Sequence, residues 1–311
     1  MKILNQTGNP EIAMVYLAEL GENKYLEFAE SLQPPIPRDK KWVLLVSTLF
    51  GCPVGCRMCD AGAYYQGKLS KDEIFDQIDY LVKLRYPQGF IPVEKFKIQF
   101  SRSGEPALNM EVLKALEELP RRYPSKGLLP SLSTVAPAGS EAFFQRLLEL
   151  KRDIYHDSGF QLQFSIHTTD QGLRDQLIPI KKWDFTQIAD FAHEFYRPGD
   201  RKVTLNFALE EKMPLEPLVL SKYFTPEKFL IKITPINPTY RAEANRLDSY
   251  LASDQKGKAE DLHCKLIDAG YEVIISIGEL EENLIGSNCG QLVLQHLKSG
   301  HKLKEGYKYW Q

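Results

Sequence analysis

The sequence lacks long apolar runs, a surplus of charge and an abundance of cysteine. No apolar stretch in its 311 residues approaches the length that crosses a membrane, and the polar opening "MKILNQTGNP" does not predict a signal peptide. Lysines and arginines number 39 against 41 aspartates and glutamates, so no overall charge attracts the chain to nucleic acid or acidic membranes. Five cysteines without an export signal argue against a disulfide framework and predict a cytoplasmic protein.

From about residue 42 onward, short β-rich runs alternate with amphipathic helical segments. The strand-like runs, such as "WVLLVSTLF" and "KFKIQFS", are rich in Val, Ile, Leu, Phe and Thr. The segment "SKDEIFDQIDYLVKL" predicts a helix, since Ser70 and Glu73 form a capping-box pattern at its start. Regular alternation of this kind builds βαβ units with a largely parallel sheet. The sequence therefore predicts an α/β fold, a partial (β/α)6-type TIM-like barrel.

We expect a single domain overall, with an N-terminal extension at 1–41 and a core barrel with a C-terminal extension at 42–311. The "LQPPIP" stretch predicts an extended connector into the first barrel strand. In such barrels the functional residues lie on the loops after the strands. Polar stretches follow successive predicted strands and should meet on one rim: "SRSGEP", "STVAP", "SIHTTD", "TPINP" and "SIGELEEN".

Three of the five cysteines, Cys52, Cys56 and Cys59, form a C-x3-C-x2-C pattern directly after the first barrel strand. A zinc ion with a fourth ligand or an iron–sulfur cluster could use three such thiolates, whereas three unliganded thiols in one loop would oxidise readily. A structural zinc site usually combines two short knuckles, and the sequence has no second one. A cluster held by three cysteines keeps one iron open for a cofactor or substrate. The pattern therefore favours a cluster.

This trio resembles that of the radical S-adenosylmethionine (SAM) superfamily, and "SGEP" at 103–106 resembles its second-strand motif. The resemblance implies that the trio binds a [4Fe–4S] cluster, whose open iron holds SAM, and that Gly104 and Glu105 meet the SAM amino group. A carboxylate and an ammonium form a charge-assisted hydrogen bond, which suits Glu105. The resemblance also implies reductive cleavage of SAM to a 5′-deoxyadenosyl radical, with a flavodoxin or a ferredoxin as electron donor. Met58 departs from the family, which usually has an aromatic residue there.

Further motifs resemble one branch, the radical SAM methyl synthases that methylate an adenine ring carbon in ribosomal RNA. This resemblance runs from about Met14 to Leu292 and rests on "SGEPALN", "STVAP", "FSIHTTDQGLRDQLIPIKKW", "ITPINP" and "SNCGQL". It implies that Cys289 carries a methyl group, accepted from one SAM and activated as a radical by a second. The positions that it implies to contact SAM are Ser133, Ser165, His167 and Asn237, with Ile166 contributing only its backbone.

The chain also departs from that branch. Leu45 stands where the branch has a cysteine that resolves the covalent adduct, and Ala13 stands where it has a carboxylate base. The branch's N-terminal RNA-binding helical domain has no counterpart in residues 1–41. The fifth cysteine, Cys264 in the helical "AEDLHCKLIDAG", is expected in the core.

Three hypotheses of function follow. The first is methylation of an sp2 carbon through Cys289. The second is direct hydrogen abstraction by the 5′-deoxyadenosyl radical without methyl transfer. The third and least favoured is a non-catalytic iron–sulfur electron-transfer protein, which would not need the SAM-contacting positions. A small molecule, a nucleic acid and a peptide all remain open as substrate, and no membrane partner is expected.

Overall fold

The computed structural model describes residues 1–156, 159–251, 256–276 and 288–298. The chain divides into two compact units. The first contains Met1–Gly55, Cys59–Leu132 and residues 288–298. The second contains Cys56–Met58 and the described residues from 133 to 276.

The strands of the first unit are β1 (Lys2–Asn9), β2 (Ala13–Glu19), β3 (Tyr25–Ser31), β4 (Trp42–Val46), β5 (Leu49–Gly51), β6 (Tyr65–Lys68) and β7 (Phe96–Phe100). Strand β8 (Leu128–Thr134) belongs to the first unit as far as Leu132, and its last two residues belong to the second. Strands β1 to β4 pair antiparallel, and β4, β7 and β8 pair parallel in that order. The short strands β5 and β6 form an antiparallel pair of their own.

The described helices are α1 (Lys71–Arg85), α2 (Glu111–Arg122), α3 (Glu141–Asp153), α4 (Gln171–Leu177), α5 (Phe185–Phe195), α6 (Pro217–Tyr223), α7 (Tyr240–Ala244), α8 (Lys256–Asp268) and α9 (Gln291–Lys298). Helices α1, α2 and α9 belong to the first unit. The predicted capping box of α1 is confirmed: Ser70 Oγ accepts the Glu73 N–H at 3.2 Å, and Glu73 Oε2 accepts the Ser70 N–H at 2.7 Å. A cap of this kind stabilises a helix by about 1 kcal/mol.

The N-terminal strands β1 to β3 were not predicted from the sequence. Strand β3 is buried along almost its whole length, although it contains Glu27 and Glu30. Two buried charges break the alternation of apolar and polar residues that marks a strand. Glu30 accepts hydrogen bonds from Arg85 Nε at 3.0 Å and from Trp42 Nε1 at 2.8 Å. A buried carboxylate is tolerated when it is paired and hydrogen-bonded in this way.

The second unit contains the parallel strands β9 (Gln161–Ser165), β10 (Val203–Leu209), β11 (Phe229–Pro235) and β12 (Glu272–Ile275), which pair in that order. Almost every residue of β10 is buried, as expected for a parallel strand that is covered on both faces. Asp184 is the N-cap of helix α5 and forms a reciprocal capping box with Gln187.

The predicted α/β class is confirmed, because parallel strands alternate with helices in each unit. The division into an extension at 1–41 and a core at 42–311 stays a prediction. Of the predicted polar stretch at 276–283 only Ser276 lies among the described residues, and the tail from residue 299 lies outside them. Within the described part of the chain, no helix is long and apolar enough to cross a membrane.

Candidate active site

The three cysteines of the predicted cluster site lie on one loop between β5 and β6. Cys52 follows β5 directly, and its N–H donates to the Ala61 carbonyl at 2.8 Å. The Gly62 N–H donates to the Cys59 carbonyl at 3.1 Å and closes the other end of the loop. Each cysteine of the trio is partly exposed, and none forms a disulfide. Three partly exposed cysteines therefore share one short, hydrogen-bonded loop.

This donor set fits an iron–sulfur cluster, which takes cysteine thiolates as ligands. Within the described ranges, no three His, Cys, Asp or Glu side chains are arranged to hold one metal ion. The cluster site stays a prediction.

The middle of the cysteine loop, Cys56–Met58, is held within the second unit. Thr239 Oγ1 donates to the Met58 carbonyl at 2.9 Å, and Arg241 Nε donates to the Cys56 carbonyl at 3.1 Å. Thr239 is also the N-cap of α7. Sequence reasoning missed both side chains, and the only available signal was their position directly after "TPINP".

Gly104 and Glu105, the predicted contacts of the SAM amino group, follow β7 in the first unit. Gly104 has a φ of +104°, and a Cβ there would lie 2.6 Å from the Leu49 side chain. Only glycine fits such a backbone without strain. Glu105 is buried, and its Oε1 accepts the Ala107 N–H at 3.0 Å. The carboxylate is therefore fixed in place by its own loop.

Two serines predicted to contact SAM lie in the second unit. Ser133 Oγ is buried and forms no hydrogen bond within the described residues. Ser165 ends β9 and pairs with Asn206 of β10, whose Oδ1 is likewise buried without a hydrogen bond to any described residue. A buried polar atom without a partner costs about 1–3 kcal/mol. Such atoms suit a site that a polar ligand completes. Asn206 was missed, although it is the only amide in the apolar run "KVTLNFAL".

His167, also in the second unit, is a neutral hydrogen-bond donor. Its Nδ1 accepts the Ala208 N–H at 2.9 Å, which assigns the ring proton to Nε2. Burial, with a smaller contribution from the positive charge of Arg174, lowers the pKa of His167 to about 3. Its φ of +66° lies in the left-handed region, which is uncommon for residues other than glycine. The fold therefore holds this imidazole uncharged in a constrained conformation.

The two remaining predicted contacts differ in exposure. Ile166 is fully buried, and its N–H donates to the Asn206 carbonyl at 2.9 Å. Asn237 is exposed just beyond β11, and its carbonyl accepts the Thr239 N–H at 2.9 Å. The SAM-contacting positions stay predictions.

Cys289 lies against the cysteine loop inside the first unit. Its carbonyl accepts the Ala61 N–H at 3.2 Å and the Cys59 thiol at 3.6 Å. Its own Sγ donates to the Ser101 carbonyl at 3.6 Å. Burial raises the pKa of the Cys289 thiol, and the nearby Arg102 guanidinium opposes that effect. The predicted methyl carrier and the predicted cluster ligand Cys59 are therefore neighbours.

Sequence reasoning missed two charged residues beside Cys289. Glu27 of β3 is fully buried and forms an ion pair with buried Arg102, with Oε1 and Nη2 separated by 2.8 Å. Arg102 belongs to the "SRSGEP" motif, but nothing in the sequence pairs it with a glutamate far along the chain. Only the packing of β3 against the loop after β7 brings them together.

Two positions that bear on the reaction lie in apolar surroundings. Leu45 packs against a cluster that includes Leu292 and Val293, which follow Cys289 in the chain. Ala13 is buried at the start of β2.

The prediction that Cys264 lies in the core is wrong, because its side chain is exposed on α8. Helix α8 presents that position to solvent. The spacing of apolar residues in the sequence did not show which face of the helix Cys264 occupies.

No family model matches the chain. The dual-specificity RNA methyltransferase RlmN of Wolinella succinogenes is 26% identical over 279 residues, which cover 86% of this chain and 74% of that protein. The probable dual-specificity RNA methyltransferase RlmN of Thermus thermophilus is 30% identical over 177 residues, covering 56% of this chain and 47% of that protein. The chain thus spans about half the length of the first curated relatives that it matches.

Among solved structures, a radical SAM methyltransferase from Sphaerobacter thermophilus has a TM-score of 0.70 and 18% identity, and the match covers 93% of this chain and 80% of that one. A spore photoproduct lyase mutant with bound AdoMet and dinucleoside spore photoproduct has a TM-score of 0.50 and 12% identity, with 75% of each chain covered. The fold is that of radical SAM proteins, in agreement with the predicted partial barrel. The curated relatives that the chain resembles are RNA methyltransferases named RlmN.

Proposed function

We propose that the chain is a radical SAM enzyme that methylates an sp2 carbon through Cys289. The names of its relatives support a methyltransferase. The observation that carries the proposal is the contact of the Cys289 carbonyl with Cys59 and Ala61. A methyl-carrying thiol has to lie beside the place where the radical forms, and this contact supports the proposal because Cys59 is one of the proposed cluster ligands.

Cys52, Cys56 and Cys59 would hold a [4Fe–4S] cluster. When bound, the cluster supplies the electron that cleaves SAM to methionine and a hydrogen-abstracting 5′-deoxyadenosyl radical. The electron would come from a flavodoxin or a ferredoxin. The loop contributes by holding its thiols through the Cys52 and Gly62 backbone bonds.

The residues proposed to contact SAM have side chains whose chemistry is complementary to the charged and polar groups of SAM. Glu105 offers a buried carboxylate to the SAM ammonium. His167 offers an uncharged Nε2–H donor, which does not repel a sulfonium cation as an imidazolium would. Ser133 offers a buried hydroxyl that needs a partner. Gly104, Ser165, Ile166 and Asn237 complete the proposed set.

Cys289 would accept the methyl group in a displacement. A bond forms between its sulfur and the methyl carbon of SAM while the bond from that carbon to the sulfonium sulfur breaks, and S-adenosylhomocysteine leaves. The thiol proton passes to solvent. The raised pKa of Cys289 means that the resting thiol keeps this proton, so the positive sulfonium has to approach before the thiolate forms.

An RNA is the substrate class that the names of the curated relatives support. A small molecule or a peptide is a second possibility, because the chain covers only part of those relatives. Leu45 and Ala13 favour a different second candidate function, direct hydrogen abstraction without methyl transfer. Neither side chain can resolve an adduct or remove a proton, and both are packed among apolar residues.

Anaerobic protein with a reconstituted cluster, incubated with SAM and dithionite, tests the proposal. We expect 5′-deoxyadenosine, S-adenosylhomocysteine and a Cys289 peptide heavier by one methylene. A Cys289→Ala variant should lose the peptide modification and the S-adenosylhomocysteine. Formation of 5′-deoxyadenosine with an unmodified Cys289 would favour direct hydrogen abstraction, and no SAM cleavage at all would favour an electron carrier.

A further inference from the structure

The segment after Cys289 is capped by a carboxylate from a distant strand. Glu27 Oε1 accepts the Gly290 N–H at 2.5 Å, and Oε2 accepts the Leu292 and Val293 N–H groups at 3.0 and 3.3 Å. These are N–H groups of the first turn of α9, which have no acceptor inside the helix. A negative charge there is also stabilised by the helix dipole. One side chain of β3 thus fixes the start of α9.

Arg102 binds the residue that precedes Cys289. Its Nη2 lies 2.8 Å from Glu27 Oε1 and donates to the Asn288 carbonyl at 3.4 Å. Both members of this ion pair are almost entirely buried. Cys289 therefore stands between two residues, Asn288 and Gly290, that are each bonded to one member of the pair.

Cys289 itself forms three further contacts. Its carbonyl accepts the Ala61 N–H at 3.2 Å and the Cys59 thiol at 3.6 Å, and its Sγ donates to the Ser101 carbonyl at 3.6 Å. The Glu27–Arg102 pair binds the residues on both sides of Cys289.

We propose that Glu27 and Arg102 are positioning residues that fix the Cys289 thiol beside the cysteine loop; this inference rests on the proposed function of Cys289 as methyl carrier. They act through the backbone of Asn288 and Gly290 and through the start of α9. A methyl acceptor has to meet its donor in line and within a few ångströms, so a small displacement of this segment slows transfer strongly.

The chain offers a matched control for this role. Glu30 lies three residues after Glu27 on β3, is also buried, and is also ion-paired, with Arg85. An odd separation along a strand puts the two carboxylates on opposite faces. Replacing Glu30 should cost stability through loss of a buried pair without touching the Cys289 segment. Glu27→Gln and Glu30→Gln therefore separate positioning from general stability.

Two measurements do not require turnover. We expect Glu27→Gln to raise amide hydrogen exchange at Gly290, Leu292 and Val293 about 10- to 100-fold, the factor that corresponds to losing hydrogen bonds to a charged acceptor. Alkylation of Cys289 by iodoacetamide, followed on its peptide, should accelerate by a similar factor relative to the exposed Cys264. Glu30→Gln should leave both rates within about twofold of the unmodified protein.

The third measurement is the yield of methyl-Cys289 in anaerobic protein of matched cluster content. We expect it to fall at least about tenfold in Glu27→Gln, because transfer depends on alignment, and not in Glu30→Gln. Arg102→Lys keeps the ion pair but loses the planar fork toward Asn288, so an intermediate effect is expected. If Glu27→Gln does not fold, Arg102→Lys decides alone.

Equal exchange, alkylation and methylation in both glutamate variants would overturn the inference. So would an equal loss in both, since that would indicate stability alone. If the unmodified protein never forms methyl-Cys289, the proposed function fails, and the exchange and alkylation rates still report on whether the pair positions the thiol.

Discussion

The backbone N–H of Ala61 donates to the carbonyl of Cys289 at 3.2 Å and joins the cysteine loop to the segment that precedes α9. The approach is close enough to exclude a side chain from the next position. Gly290 has a φ of +84°, and a Cβ there would lie 2.0 Å from the Ala61 nitrogen. The close approach of the Cys289 segment to the cysteine loop thus depends on the glycine at position 290.

Gly290→Ala should therefore lower stability and displace Cys289. We expect a loss of about 2–5 kcal/mol, from the strained φ and the backbone clash together. The control is Gly89→Ala in the same unit, where φ is +77° and no atom lies within 4 Å of an added Cβ. That variant should lose only about 1 kcal/mol. Urea unfolding of both measures the difference, and equal losses would contradict the close approach.

Replacing any cysteine of the trio by Ala should abolish the cluster. We expect iron and sulfide to fall to background in Cys52→Ala, Cys56→Ala and Cys59→Ala after anaerobic reconstitution, because a cluster needs all three thiolates. Cys264→Ala is the matched control, since this cysteine is exposed on α8. Full iron and sulfide in a trio variant, or stoichiometric zinc without sulfide, would refute the cluster assignment.

Glu105→Gln should weaken SAM binding about 10- to 100-fold, since a charge-assisted hydrogen bond is replaced by a neutral one. Glutamine keeps an Oε1 that can accept the Ala107 N–H, so the loop should hold its shape. Glu111→Gln, at the start of α2, is a control that removes a carboxylate elsewhere in the first unit. Equilibrium binding of SAM to reconstituted protein is the measurement. Unchanged affinity in Glu105→Gln would remove Glu105 from the site.

His167 should make the protein less stable as the pH falls. Because its pKa in the fold is about 3, below the 6.5 of an unfolded histidine, only the unfolded chain takes up a proton between those values. Stability is therefore fully present above pH 6.5 and is lost progressively toward pH 3. At pH 5 the loss from this group is about 2 kcal/mol.

His167→Asn should remove that loss. Asparagine tolerates a positive φ, and its Oδ1 can accept the Ala208 N–H in place of Nδ1. We expect the difference in unfolding free energy between pH 7 and pH 5 to shrink by about 2 kcal/mol relative to the unmodified protein. An unchanged pH dependence would show that His167 titrates normally in the fold.

The features that could be predicted from the sequence depend on residues that are close together along the chain. The spacing of Cys52, Cys56 and Cys59 identifies a shared loop because the three lie within a few residues of one another. The capping box of Ser70 and Glu73 is a contact between residues one helical turn apart. The spacing of apolar residues along the chain distinguishes strands from helices. The α/β class was therefore predicted correctly.

Strands β1 to β3 and the exposure of Cys264 were not readable, because each depends on what packs against a segment rather than on the segment itself. A buried glutamate breaks the pattern of a strand, and its compensation by Arg102 or Arg85 comes from residues far away in the chain.

The motifs by themselves determined that three thiols share a loop and that Cys289 has a family counterpart. Only the tertiary structure decided that the Cys289 carbonyl lies on the cysteine loop and that Glu27 and Arg102 hold it there. The physical reason is that a hydrogen bond needs its partners within about 3 Å, and only the folding of β3 and the loop after β7 around α9 brings these residues that close.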